Sequence, residues 1–346
     1  MSADVGSGTG MGVGSGTGMG AVTTRAAPDG ARVLVTGAYG FIGRAYCTEL
    51  ASRGIEFIGA VRQRAADDPR DNIVPVGDFA VADWSRLLAR HRIDCIVHLA
   101  ARAHRVVDDD PDPRAAYRRA NVEATRRLLD AARDGGVRRF VFASTVKVHG
   151  DYTPPGVVWR ESDPLEPKDE YARSKAEAEA LVARCADEGA LQTVILRFPM
   201  VYGPGVKANF AALFDAVRRR RWLPLGGIRN QRSLLGLANA CAAIEVARIH
   251  PAATGQVYLV ADGDDLSTPE LVEAMADALD VRPRLIALSP SLLYGLLTMI
   301  GKRAQARRLL ESLAIDSAKI RRSLEWTPPS TMHDELARLI RSHLRA

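Results

Sequence analysis

Apolar positions along the chain follow two alternating periods. Short β-branched runs recur, and between them lie longer stretches whose apolar residues repeat every three to four positions. Arg32–Thr36 (RVLVT) is the first such run. A helical period follows to about Arg53, and a second apolar run spans Ile55–Val61. Ile93–Ala101, Arg139–Thr145 and Leu191–Phe198 read as further buried strands, and Tyr171–Glu188 as a helix. Near-continuous apolarity, rather than strict alternation, marks strands covered on both faces. Strands and helices taking turns predict an α/β fold, a doubly wound parallel sheet over residues 30–200. Later elements around 230–262 are expected to return to it, and residues 201–346 to form mainly a smaller C-terminal lobe. Leu285–Ile300 is the most apolar late stretch. Ser289, Pro290 and Ser291 interrupt it, and no run along the chain is long and apolar enough for a membrane span. It is expected to be a buried or covering helix of the small lobe. The other reading is a membrane-surface helix trailed by Lys302, Arg303, Arg307 and Arg308.

Residues 1–29 depart from this pattern. Val5–Gly12 (VGSGTGMG) is repeated at Val13–Gly20. Such a segment has little to bury and much backbone entropy to lose, so it is predicted to be disordered. For the whole chain, 47% hydrophobic and 25% charged residues over 346 positions exclude a disordered protein, a collagen-like repeat and a disulfide miniprotein. The net charge of +6 is spread along the chain. Nucleic-acid binders concentrate basic residues on one stripe or arm, so no nucleic-acid partner is expected, and a small phosphorylated ligand accounts for some arginines equally well. Cys47, Cys95, Cys185 and Cys241 lack CxxC spacing. No metal site and no disulfide framework are expected, which favours a reducing, cytoplasmic compartment.

The first strand leads into Gly37-Ala38-Tyr39-Gly40-Phe41-Ile42-Gly43 and then a helix. This is the opening unit of a dinucleotide-binding (Rossmann) fold. Gly37 permits the tight turn, Gly40 lets the backbone approach a pyrophosphate, and Gly43 allows close helix packing. A phosphate then meets free N–H groups and the dipole at the helix start.

The GxxGxxG spacing resembles extended short-chain dehydrogenase/reductases, the nucleotide-sugar epimerase/dehydratase group. Four further segments carry the resemblance. They are Val76-Gly77-Asp78-Phe79, His98-Leu99-Ala100-Ala101, Asn121 in a helical stretch, and Ser144-Thr145 ahead of Tyr171-Ala-Arg-Ser-Lys175. It implies that the dinucleotide is held by Gly37, Tyr39, Gly40, Phe41, Ile42, Gly43, Asp78, Phe79, Leu99, Ala100, Ala101, Asn121, Tyr171, Lys175 and Phe198. Tyr171 is the implied general acid/base. An ordinary tyrosine titrates near 10, so it needs Lys175, one turn away on the same helix face, to lower its pKa. Thr145, with Ser144 beside it, would hold the reacting oxygen. Lys175 would also hold the nicotinamide ribose.

Downstream, Leu196-Arg-Phe-Pro-Met-Val-Tyr-Gly-Pro-Gly205 is similar to the "LRPxxVYGPG" pattern of enzymes acting on nucleotide-sugars. The resemblance places a nucleotide-diphosphate sugar, with UDP as the expected nucleotide, on Thr145, Asn209, Arg232 and, from the C-terminal lobe, Arg308. Ser144–Asp151 (STVKVHGD) is similar to the "SSxKVNGE" strand of reductases and epimerases for bacterial surface-polysaccharide sugars. A homodimer through helices at 113–135 and 170–189 is implied as well.

Dehydratases of this group carry Asp-Glu after the catalytic Ser/Thr. Here Val146 and Lys147 follow Thr145, which disfavours 4,6-dehydration. Enzymes that use NAD place an acid at the end of the second strand for the ribose 2′-hydroxyl. This chain has Val61 there, then Arg62, and no acid before Asp67. Arg62 could bind a 2′-phosphate, which leans towards NADP over NAD and a 4-ketoreductase over a 4-epimerase. A solvated Arg62 and tightly held NAD would fit the epimerase. A non-catalytic NAD(P) sensor is a third reading, against which the Tyr171/Lys175 pair speaks.

Overall fold

The computed structural model describes residues 32–103, 110–189, 191–301 and 303–344. The glycine-rich segment 1–29 and Lys302 lie outside the described residues. β1 (Val33–Thr36) runs into α1 (Phe41–Ser52) and β2 (Phe57–Val61), followed by β3 (Ile73–Pro75), α2 (Trp84–His91) and β4 (Cys95–His98). α3 (Pro113–Tyr117) continues through a π-helical stretch, Arg118–Glu123, into α4 (Ala124–Asp134). β5 (Arg139–Thr145), α5 (Glu170–Asp187) and β6 (Gln192–Phe198) come next. After them stand β7 (Met200–Tyr202), α6 (Ala208–Arg218), β8 (Leu234–Gly236), α7 (Leu237–Ile249) and β9 (Gln256–Leu259). The chain ends in α8 (Thr268–Ala278), α9 (Pro290–Met299), α10 (Arg303–Leu310), α11 (Ala318–Leu324) and α12 (Met332–Leu344).

Seven strands form one parallel sheet in the order β3-β2-β1-β4-β5-β6-β9. The order reverses between β1 and β4, so a crevice opens at the carboxyl ends of those two strands. Alternation along each strand feeds two cores. Val33, Val35, Val97 and Val141 pack towards α1 and α7, whereas Leu34, Ile96, Phe140 and Phe142 pack towards α2, α4 and α5. A third apolar cluster, built on Phe210, Phe214, Met275 and Leu336, joins α6, α8 and α12 away from the sheet. The short β7–β8 ladder is separate from the main sheet.

The late apolar stretch forms α9, but burial takes only one of its sides. Leu293 is buried, while Leu292, Leu296, Met299 and Ile300 are exposed. A helix covering a cluster needs one apolar stripe, and α9 has two.

Candidate active site

The site begins where β1 ends. The chain turns through Gly37 at φ +72°, where a Cβ would come within 2.9 Å of the Ala100 backbone. Gly40 N–H closes the turn on the Gly37 carbonyl at 2.7 Å. Gly43 packs on that same carbonyl, and a Cβ there would lie 2.1 Å from it. The sequence expected Gly43 to serve helix–strand packing; its close neighbour is the turn itself. Gly40 caps α1 without a side-chain acceptor, which leaves first-turn N–H groups at Phe41 and Ile42 for an anion. This cradle fits a dinucleotide pyrophosphate.

The segment after β2 folds across the turn. Tyr39 donates its hydroxyl to Asp68 at 2.6 Å, and Arg70 pairs with the same carboxylate at 2.7 Å. Arg70 and Tyr39 together hold the Asp68 carboxyl well below the usual range. Arg62, directly after β2, is exposed and has no ion-pair partner among the described residues. Asp78 accepts the Ala80 N–H at 2.9 Å and pairs with Arg119; these contacts, with the nearby Arg62 charge, lower its pKa. The Phe79 side chain is buried beside Trp84, so only its backbone is left to face a ligand. Leu99 and Ala100 are half-buried and Ala101 is exposed beyond β4.

Asp169 starts α5 by accepting the Ala172 N–H at 2.7 Å, and its carboxylate also meets Lys147. α5 thereby sets Tyr171 against the end of β5, where its hydroxyl hydrogen-bonds Thr145. Burial pushes the phenol up to about 12, and the Thr145 hydrogen bond opposes that shift. Lys175 donates to the Ala143 carbonyl at 2.6 Å and sits 3.8 Å over the Phe142 ring. Burial draws its pKa down to about 7, while Glu179 one turn on raises it. Glu179 is itself held in a buried pair with Arg197 at 2.7 Å. Ser144 Oγ is buried with no hydrogen-bond partner, an orphan suited to a ligand atom. Phe198 lies opposite Thr145 in the sheet register and is buried.

Asn121 sits on the π-helical stretch, where one wider turn re-aims a side chain. Its amide accepts the Arg102 N–H at 2.8 Å and donates to the Ser174 hydroxyl at 2.9 Å. It therefore ties the β4 loop to α5 next to Tyr171. A second network lies beneath. The Ala100 N–H donates to Thr36 Oγ1 at 3.2 Å, and Thr36 meets His98 Nδ1 at 2.6 Å. His98 Nε2 meets Thr125 Oγ1 at 3.0 Å, and Thr125 donates to the Asn121 carbonyl at 2.6 Å. Because Thr125 gives its proton to that carbonyl, it must accept from His98, which assigns the Nε2–H tautomer. Burial keeps His98 neutral by drawing its pKa down to about 3.

The expected sugar-nucleotide residues lie in the later elements. Asn209 is exposed in the first turn of α6, directly after Ala208 at φ +58°. Arg232 donates to the Arg308 and Glu311 carbonyls at 2.9 and 3.0 Å. Burial and the neighbouring Arg308 charge both lower its pKa. The two arginines thus stand together, but Arg232 also has a structural duty that sequence reasoning did not assign. Residues 312–315 link this region to the loop after β5, through Thr153 N–H to Ser312 at 2.8 Å and Ile315 N–H to Ser233 at 2.9 Å. Sequence reasoning also missed the His98 chain, the Tyr39–Asp68–Arg70 clasp and the Lys147–Asp169 pair. Only Asp169 had a local signal, as an acid placed to cap a helix.

Residues 33–261 match the model of the NAD dependent epimerase/dehydratase family. A UDP-glucose 4-epimerase of Vibrio cholerae is 35% identical over 317 residues, covering 91% of this chain and 96% of that protein. A dTDP-6-deoxy-L-talose 4-dehydrogenase (NAD(P)(+)) of Kitasatospora kifunensis is 29% identical, over 89% of this chain and 94% of that one. The UDP-glucose 4-epimerase of Thermus thermophilus, solved with NAD, superposes with a TM-score of 0.70 at 25% identity, covering 91% of this chain and 99% of that one.

Proposed function

The chain belongs to the NAD dependent epimerase/dehydratase family, an enzyme family, and on that premise we propose that it reduces the C4 carbonyl of a UDP-linked 4-keto-6-deoxy-N-acetylhexosamine. The observation that carries this reading is the end of β2. Val61 stands where an acid would hold a ribose 2′-hydroxyl, Arg62 beside it is exposed, and Asp68 is engaged by Arg70 and Tyr39. That chemistry suits a 2′-phosphate, hence NADPH, a reductant consumed in each turnover. The bound cofactor supplies hydride chemistry at C4.

The protein's residues handle the proton and the geometry. Gly37, Gly40 and Gly43 give the pyrophosphate its approach, and Lys175 holds the nicotinamide ribose. Thr145 and the unpartnered Ser144 hydroxyl bond the C4 oxygen. Tyr171, kept protonated by burial, gives that oxygen its proton. A UDP nucleotide is placed on Arg232, Arg308 and Asn209, where paired guanidiniums suit a diphosphate. The product belongs to surface-polysaccharide synthesis on this reading, and the protein is a homodimer packed through the helices at 113–135 and 170–189.

The 35% identity to a protein named UDP-glucose 4-epimerase favours a second reading, 4-epimerisation with retained NAD. NADPH absorbance followed with UDP-4-keto-6-deoxy-N-acetylglucosamine separates the two. Stoichiometric loss supports the ketoreductase. No loss, with C4 inversion of UDP-N-acetylglucosamine in the absence of added cofactor, replaces it by the epimerase.

A further inference from the structure

α9 carries apolar residues on two sides, and one of them has no partner among the described residues. Leu293 belongs to the lobe's cluster and Leu297 packs on it. Leu292, Leu296, Met299 and Ile300 form a neighbouring stripe, about 100° round the helix, with Met299 77% and Ile300 63% exposed. No charged residue interrupts the helix. A second exposed apolar group adjoins its approach. Leu223 pairs with Leu285, and its backbone bonds Arg284 and Ile286 at 2.8 Å each, which ties the segment of exposed Trp222 to that of exposed Ile286. The Arg284 guanidinium stacks 5.4 Å over the Trp222 ring. Arg218, Arg219, Arg220, Arg221 and Arg282 are exposed around this edge. Asp215 balances Arg218 and Arg219, while Arg220, Arg221 and Arg282 have no ion pair among the described residues.

Charge selects the occupant. A second copy meeting this patch about a two-fold axis would set arginine against arginine. An anionic lipid surface offers complementary headgroups, and its interfacial layer accepts tryptophan and aliphatic side chains. α9 rises only about 15 Å, and no helix among the described residues is long and apolar enough to cross a membrane. We propose that the exposed stripe of α9, with the Trp222–Ile286 edge and its arginines, docks the protein peripherally on an anionic lipid bilayer. This goes beyond the C4 chemistry and does not rest on it.

The test uses the full chain and two vesicle types, phosphatidylcholine alone and phosphatidylcholine mixed with phosphatidylglycerol. Co-sedimentation at low salt should be about tenfold stronger with the anionic vesicles and should weaken as salt rises. Trp222 emission should shift to the blue on them, and Trp222→Phe should lose that shift. The double variant Met299→Ser/Ile300→Ser changes only exposed positions. It should bind the anionic vesicles about tenfold less while binding dinucleotide as before. Arg220→Glu/Arg221→Glu should lower binding as well. Indifference of the wild-type protein to both vesicles overturns the proposal. So does a double variant that sediments like wild type, or one that changes only the oligomer size of lipid-free protein, which would assign the face to another chain.

Discussion

On the proposed reading Tyr171 moves a proton, and its surroundings bias the direction. Burial raises the phenol to about 12 against the pull of Thr145, so near neutrality it holds its proton and is ready to donate. Tyr171→Phe keeps the ring and removes the proton. Turnover should fall about 10²- to 10⁴-fold, while cofactor affinity, read by fluorescence titration, stays nearly constant. Turnover close to wild type would place the acid elsewhere. On the same reading Arg62 governs a different choice, that of the cofactor. Arg62→Asp should weaken NADPH binding by at least about tenfold and leave NADH nearly unaffected; equal loss of both would sink the 2′-phosphate argument. The sequence could propose both residues because their signals are local, one turn of helix for Tyr171 and Lys175, one strand end for Arg62. The Ala143 carbonyl under Lys175 was not, since it arrives from β5, 32 residues earlier.

Between elements, the chain of hydrogen bonds through His98 joins β1, β4 and α4 beneath the cofactor turn. An unfolded histidine titrates near 6.5, whereas burial holds His98 down to about 3. The unfolded chain therefore binds more protons across that window. This contribution to stability is complete above 6.5 and is lost as pH falls towards 3, to a limit of a few kcal/mol. His98→Gln removes the titration. It should cost about 1–3 kcal/mol at neutral pH by leaving Thr36 or Thr125 without its partner. The gap to wild type should narrow in acid, as read from urea midpoints. Parallel loss in both proteins would show that His98 is not the titrating group. The glycine turn makes the opposite demand, for space. A Cβ at Gly43 would lie 2.1 Å from the Gly37 carbonyl, so Gly43→Ala should destabilise by about 1–3 kcal/mol. It should also weaken the dinucleotide in titration, and unaltered affinity would mean that the turn tolerates spreading. Glycine spacing announced this turn because tight turns restrict residue type. The His98 chain had no such signature: its partners come from strands 62 residues apart, and any threonine reads alike in sequence.

At the scale of the molecule, the cofactor cradle belongs to the sheet, whereas Asn209, Arg232 and Arg308 belong to elements beyond it. One link between the two is residues 312–315, laid between the loop after β5 and the segment before β8. The sequence named Arg232 and Arg308 through resemblance alone. It could not show that they meet, because 76 residues of chain separate them. Their closeness has an energetic meaning. The Arg308 charge disfavours the charge on buried Arg232 more than the nearby Glu311 carboxylate favours it. A diphosphate would relieve that repulsion, so UDP should stabilise the whole fold beyond what its contacts with the uridine provide. A ligand at about 100 times its Kd adds roughly 2.7 kcal/mol, enough to read as a rise in the melting temperature. Arg232→Ala has two separable effects. Losing the bonds to the Arg308 and Glu311 carbonyls lowers the melting temperature without ligand, and losing the guanidinium shrinks the rise caused by UDP. Arg308→Ala keeps both of those carbonyls, which are backbone, and removes the second cation. It should disturb the ligand-free protein less than Arg232→Ala and still shrink the rise. If UDP raises the melting temperature of both variants as much as that of wild type, the arginine pair holds α10 in place and the diphosphate binds elsewhere.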